Sequence, residues 1–225
     1  MDSKLTIAYA GTLVSYQPGQ EKLTLIKQAQ QYFWEYYPKN CFHYTRSGYF
    51  LFMGLRRFKD KYPELSNRIS VQLWGNIDRT NQRQVDSLDI SNMVEISGRV
   101  TKAATIDKLY KSDVLYLPLE ASTPDFSPLY IPGKTFELLS MNKPILALVD
   151  RSEVYDLLSQ TNQAIIISPF DSDAIAEGIK YLLENKCNLP YLFDGNEYYI
   201  NQFSFDNTAK KIANVFDSLT QPSEI

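Results

Sequence analysis

Short apolar runs alternate with stretches of helical spacing almost from end to end of this 225-residue chain. The runs are Leu5–Ala10, Ile69–Trp74, Val94–Ser97, Val114–Leu117, Pro144–Val149 and Ala164–Ile167. Each is apolar on both faces and closed by Gly, Pro or Ser, as parallel strands covered on both sides tend to be. Between and after them, apolar residues recur at helical intervals. Leu25, Ile26, Ala29, Tyr32 and Phe33 share one face, as do Ile175, Ile179, Leu182 and Leu183. Ile212, Val215, Phe216 and Leu219 follow the same spacing in a last helix around Asn207–Leu219. Strands separated by helices predict an α/β fold with a doubly wound, Rossmann-like parallel sheet and a single domain over residues 1–225. Ligands of such sheets sit at the carboxyl ends of the strands, beside helix N-termini.

One segment on that edge reads as a helix start able to hold an anion. It runs Tyr130-Ile131-Pro132-Gly133-Lys134-Thr135-Phe136-Glu137-Leu138-Leu139. Pro132 suits a first helical position, because its φ is fixed and it has no N–H to leave unpaired. Ile131 before it has no side-chain acceptor, so the first turn lacks a local cap. Lys134 falls in that turn, where a cation opposes the helix dipole unless an anion binds. Glu137 lies on the same face as Lys134 and is suited to accept hydrogen bonds from ribose hydroxyls. The plainer alternative is a surface Lys and Glu on a helix that buries its other face.

Composition narrows the function. Apolar residues make up 44% and charged residues 22% of the chain, the balance of a soluble globular protein. A net charge of −3 gives no reason to expect nucleic acid or an anionic membrane as the main partner. Two cysteines, Cys41 and Cys187, suggest a reducing compartment and no disulfide framework. The N-terminus lacks the form of a signal peptide, and no apolar run nears the roughly 18–20 residues of a membrane span. A cytoplasmic protein without stable membrane insertion is expected. Residues 32–52 hold the densest aromatic stretch, from Tyr32 to Phe52. It suggests an aromatic-rich insert near 37–48, either packed on the body or open for docking.

The order of motifs resembles the C-terminal half of GT-B glycosyltransferases of the retaining family four, from about residue 5 to 186. The motifs are Gly11-Thr12-Leu13 after the first strand, Trp74-Gly75-Asn76, Ile96-Ser97-Gly98-Arg99-Val100, Ser112-Asp113-Val114-Leu115-Tyr116-Leu117-Pro118, Gly133-Lys134-Thr135-Phe136-Glu137-Leu138-Leu139 and Lys143-Pro144-Ile145-Leu146-Ala147. The resemblance implies a nucleotide-sugar donor domain, hexosyltransferase-like and at work in bacterial polysaccharide or glycoconjugate synthesis. It implies that backbone at Gly98, Arg99 and Val100 holds the base, with Gly11 and Thr12 also in the donor site. It places the diphosphate at Gly133, Lys134 and Thr135, and the ribose on Glu137. Lys134 and Glu137 are the implied catalytic pair, and no metal or other cofactor is called for. It further implies an N-terminal acceptor domain, which the chain, starting at the donor half's first strand, is expected to lack. Such an isolated half would be inactive. A full-length protein would be cytoplasmic or peripheral to the inner membrane face.

Two departures bear on catalysis. Many members carry a Glu-x7-Glu pair, and the position of the first carboxylate is Leu129 here. Many carry Arg after the first-strand glycine, where this chain has Thr12, and a Lys soon after, where it has Ser15-Tyr16-Gln17. Lys134 is then the first candidate to stabilise the leaving diphosphate, with Arg46 and Arg99 in reserve. A GT-B sugar-nucleotide epimerase and a non-catalytic nucleotide-binding or scaffold module are the competing functions. The terminal helix either reaches the first domain, as in the family, or covers its own sheet.

Other signals have simpler readings. Asp171-Ser172-Asp173 matches a metal-binding Asp-x-Asp but precedes an apolar helix face, so Asp171 reads as an N-cap and Asp173 as a first-turn acid. His43 is the single histidine, which leaves no His cluster for zinc. No nucleophile-elbow pattern surrounds a serine. Arg56-Arg57-Phe58-Lys59-Asp60-Lys61 reads as a solvated helix face. The Gly11 turn lacks the three-glycine fingerprint of dinucleotide binding, which argues against NAD.

Overall fold

The computed structural model describes residues 4–18, 43–121 and 130–220. All six apolar runs become strands of one parallel sheet in the order β3-β2-β1-β4-β5-β6. They are β1 Leu5–Thr12, β2 Ile69–Asn76, β3 Val94–Ser97, β4 Val114–Pro118, β5 Ile145–Leu148 and β6 Ala164–Ile167. The first two outrun their apolar stretches, because the ladder continues through Gly11 opposite Gly75 and Thr12 opposite Asn76. Pro144 falls outside β5, although its carbonyl accepts from the Leu115 amide at 2.8 Å. The expected doubly wound sheet is therefore present.

Strand alternation divides the core in two. Leu5, Ile7 and Tyr9 face one side of β1, while Ala8 and Ala10 face the other. The helices around the sheet are α1 Tyr49–Lys61, α2 Arg79–Ser87, α3 Lys102–Lys111, α4 Gly133–Leu139, α5 Glu153–Thr161 and α6 Ser172–Glu184. Leu55 and Phe58 of α1, Val85 of α2 and Ile175 and Ile179 of α6 pack on the Ile7 side. Leu109 of α3, Leu138 of α4 and Leu157 of α5 pack on the Ala8 side. The chain thus winds from β1 towards β3 along one face, and from β4 towards β6 along the other. Neighbouring strands β1 and β4 send their connections opposite ways, and the carboxyl edge opens between them.

Charge readings on α1 and α6 resolve into specific bonds. Asp171 caps α6 by accepting from the Ala174 amide at 2.8 Å. Asp173 pairs with Arg57 at 2.8 Å and Lys61 at 2.6 Å, which hold its carboxyl below the usual range. The charged side chains of Arg56–Lys61 are solvent-accessible, as expected of a solvated face, and they also pair across a seam around a fully buried Phe58. These pairs are exposed, so the apolar contact beneath them carries the stabilising weight.

The expected helix over Leu25–Phe33 and the aromatic stretch up to residue 42 lie outside the described residues. Beyond them, α1 begins at Tyr49, so Phe50 and Phe52 are core residues of a regular helix. Tyr44 and Phe50 stack on Tyr16, with ring centroids at 4.8 and 5.6 Å. After α6 come α7 Leu189–Leu192, α8 Glu197–Asn201 and α9 Phe205–Thr220. The apolar residues of α9 are exposed, from 52% at Ile212 to 97% at Phe205, so this helix does not cover the sheet. No described helix is long and apolar enough to cross a membrane.

The carboxyl edge depends on one close backbone approach. A Cβ on Gly75 would lie 2.1 Å from the Gly11 carbonyl oxygen, and its φ of +126° is open only to glycine at low cost. Gly75→Ala is expected to destabilise the chain by at least about 1–3 kcal/mol in urea unfolding. Gly133→Ala, whose Cβ meets nothing within 4 Å, should leave the midpoint unchanged or slightly raised. An unchanged midpoint for Gly75→Ala would contradict this packing of β1 against β2.

Candidate functional site

The chain reverses its backbone direction around one short helix start. Pro132 has extended torsions, φ −60° and ψ 138°, so it is the N-cap and Gly133 the first helical residue. This corrects the expected register by one residue. The consequence is the same, since proline has no side-chain acceptor and no side chain caps α4. The Thr135 amide donates to the Pro132 carbonyl at 2.9 Å. The Gly133 and Lys134 amides have no hydrogen-bond partner among the described residues.

Lys134 does not point away into solvent. Its Nζ donates to the Ala10 carbonyl at the end of β1 and lies 5.5 Å from the Tyr9 ring centroid. Burial pushes its pKa below the ordinary lysine range, and nearby Glu137 offsets part of that effect. Tyr9 is fixed in turn, its hydroxyl donating to the Thr12 carbonyl at 2.9 Å. Burial raises the Tyr9 pKa to about 12 against the opposing pull of Arg46, so the phenol is neutral and a donor at pH 7.

Lys134 and Glu137 border a cleft of about 1100 Å³ along the ends of β1 and β2. Gly11 and Thr12 form one wall, and Gly133, Lys134 and Glu137 another. Arg99 and Val100 line it from the segment before α3. Seven of the nine expected donor-site residues thus meet at one opening. Gly98 does not line it, and Thr135 is fully buried with no partner for its hydroxyl among the described residues. Trp74 also borders the cleft, with Lys108 Nζ 4.9 Å above its ring.

A smaller cavity of about 220 Å³ adjoins the cleft between β1 and β4, and Thr12 and Lys134 belong to both. Glu120, just past β4, has its side chain only 5% exposed there. Arg46 approaches one carboxylate oxygen at 3.3 Å, and the Tyr130 hydroxyl donates to the other at 2.8 Å. Sequence reasoning missed Glu120 and Tyr130, because neither belongs to a motif. The available signal was position: a carboxylate immediately after a central strand falls on the ligand edge of a doubly wound sheet. Among the described residues, no group of three or more His, Cys, Asp or Glu is placed to hold a metal ion.

No family model and no curated protein matches the sequence. Solved structures do match the fold. Anabaena HepE, solved with UDP-glucose, superposes with a TM-score of 0.60 at 14% identity over 96% of this chain and 49% of that one. A glycosyltransferase from Rickettsia africae gives a TM-score of 0.62 at 16% identity over 99% and 49%. Staphylococcus aureus TarM, in a complex that includes UDP, gives 0.62 at 13% identity over 95% and 35%. This chain has the fold of a GT-B glycosyltransferase domain. It spans about half the length of the first two of these structures, or less in TarM. Within this GT-B domain, the cleft lies at the carboxyl edge over the ends of β1 and β2, beside the start of α4.

Lys134 gives a test that needs no ligand. A lysine whose folded pKa lies below its unfolded one weakens the fold at lower pH, and the penalty fades as pH rises through the folded value. Lys134→Met keeps an apolar stem on Tyr9 and removes the charge. At pH 7 the variant is expected to melt at or above the wild-type temperature, with the gap closing at pH above about 10. A marked fall in melting temperature at pH 7 would mean that the bond to Ala10 holds the fold together.

Proposed function

We propose that this chain is the donor-binding half of a glycosyltransferase that moves a sugar from a nucleoside diphosphate to an acceptor hydroxyl. The observation that carries this reading is the meeting of Gly11, Thr12, Arg99, Val100, Gly133, Lys134 and Glu137 around one cleft. The fold supports it, and so does the UDP-glucose in the HepE complex, whose fold this chain shares. The base lies along the backbone from Gly98 to Val100, and Glu137 accepts from the ribose hydroxyls. The diphosphate takes the free amides of Gly133 and Lys134, with the Lys134 ammonium beside it. Thr135 contributes to the same helix turn through its backbone.

The domain acts by position and charge. As the glycosidic bond breaks, negative charge grows on the diphosphate, and a fixed cation with two oriented amides stabilises it without rearranging. Lys134 thereby serves where the family's first-strand cations are replaced by Thr12 and its neighbours. The acceptor would be held by a second domain, and hexosyl transfer in bacterial polysaccharide or glycoconjugate synthesis is the reading we favour. A cytoplasmic protein, peripheral to the inner membrane face, suits that role. No metal is needed, because Asp171 and Asp173 are committed to the start of α6 and its partners on α1.

Thermal-shift titration against UDP, GDP, ADP and CDP tests the reading. A ligand present at ten times its dissociation constant should stabilise by about 1.4 kcal/mol. At least one is expected to do so equally in EDTA, while the chain alone transfers no sugar. Failure of all four to bind contradicts donor binding, and a strict need for Mn²⁺ or Mg²⁺ contradicts the metal-free reading. Sugar transfer by the isolated chain contradicts the division of labour.

The two polar side chains should separate by ligand. Glu137→Ala is expected to lose about 1.5–3 kcal/mol, a roughly ten- to hundred-fold weakening, and much less with a 2′,3′-dideoxy nucleotide. Lys134→Ala should weaken the diphosphate far more than the nucleoside. Equal losses for nucleoside and diphosphate, or an undiminished Glu137→Ala effect with the dideoxy ligand, would reverse these roles.

A further inference from the structure

The small cavity beyond Lys134 has a chemistry of its own. It adjoins the proposed diphosphate position, sharing Thr12 and Lys134 with the cleft, while Glu137, Arg99 and Val100 line only the larger space. With the nucleoside in the larger space and the diphosphate at Lys134, the group beyond the second phosphate enters the smaller one. The inference therefore rests on the donor-binding reading. At about 220 Å³ that space accommodates a compact group such as one sugar ring.

Its wall combines apolar and polar surface in the way a sugar requires. Leu117, Pro118 and Val154 contribute apolar surface for the C–H faces of a ring. Among the described residues Glu120 is its one acidic residue, buried at the end of β4, with Arg46 and Tyr130 among the groups that hold it. A carboxylate kept from water costs stability unless it is paired, and an apolar residue of similar size would avoid that cost. The two donors fix the plane of this carboxylate, so its acceptor directions are set before a ligand arrives. A fixed carboxyl acceptor distinguishes sugars by where their hydroxyls point, because a hydroxyl outside its acceptor directions forgoes the hydrogen bond.

We propose that Glu120, oriented by Arg46 and Tyr130, binds hydroxyls of the transferred sugar and sets which neutral hexose the site accepts. Glu120 makes that contact directly, and Tyr130 acts through it as a positioning residue. The carboxylate enters from the end of β4, seventeen positions before Glu137 in the sequence.

The experiment uses the whole chain and the nucleoside diphosphate that binds best among UDP, GDP, ADP and CDP. Affinities are measured by calorimetry for that diphosphate alone and for its glucose, galactose and mannose derivatives. The wild type should separate the three sugars by about ten-fold or more. Glu120→Gln, which preserves shape, should compress that spread to within about three-fold and leave the bare diphosphate no weaker than about two-fold. Tyr130→Phe removes one hydroxyl from a half-exposed side chain and should compress the spread in the same direction. It gives the same reading if Glu120→Gln does not fold.

A wild type that binds all three sugars alike overturns the proposal. So does a spread unchanged in the variants, or a loss shared equally by the bare diphosphate. Binding of the diphosphate with any of these results leaves the donor-binding reading standing and removes Glu120 alone. Failure of every nucleotide to bind overturns both.

Discussion

The site depends on how β1 is shared. Parallel pairing with β2 on one side and β4 on the other places its carboxyl end between two connections that leave in opposite directions. Its carboxyl end is the switch point of the sheet, where ligands of doubly wound folds bind. Gly75 lets the two strand ends approach until backbone meets backbone, while a Cβ on Gly11 would press on the Tyr9 hydroxyl and the Lys134 stem. Everything assigned to ligand binding is then arranged around that end. Gly11 and Thr12 belong to it, Lys134 hydrogen-bonds to it, and Glu120 flanks it from the neighbouring strand.

Charge is arranged around the same point with some cost to the fold. Lys134 is partly withdrawn from water, at the positive end of a helix, beside a neutral phenol and a carbonyl. The nearby Glu137 carboxylate offsets only part of the effect of burial. A phosphate would add negative charge, and would use the two amides at the start of α4 at the same time. The cation comes from α4 and reaches β1, so this edge carries a positive charge although Thr12 and Ser15-Tyr16-Gln17 supply none. Glu120 and Arg46 form the second charged pair at this edge. They are held apart from Lys134 by the cavity they line.

The sheet was legible in the sequence because buried parallel strands are continuous apolar runs. Val94–Ser97 and Ala164–Ile167 match residue for residue, while β1 and β2 extend past their apolar runs into glycine and polar residues that pair by backbone alone. The Gly133–Glu137 group was legible because its oddities are local: no cap, a cation in the first turn, and a carboxylate one turn further. The helix register slipped by one because Pro132 can serve as N-cap as readily as first residue, and its ψ decides which. Glu120 was not legible, since its importance comes from contacts with Arg46 and Tyr130, the former 74 positions away. The exposed face of α9 could be read as amphipathic, but periodicity does not say what covers a face.

The most direct test is the crystal structure of the chain with whichever of UDP, GDP, ADP or CDP stabilises it most. The expected result has phosphate oxygens at the Gly133 and Lys134 amides and the Lys134 ammonium, ribose hydroxyls on Glu137 and the base beside Arg99 and Val100. A nucleotide bound away from this cleft, or one whose phosphates avoid the start of α4, would contradict the donor-site assignment.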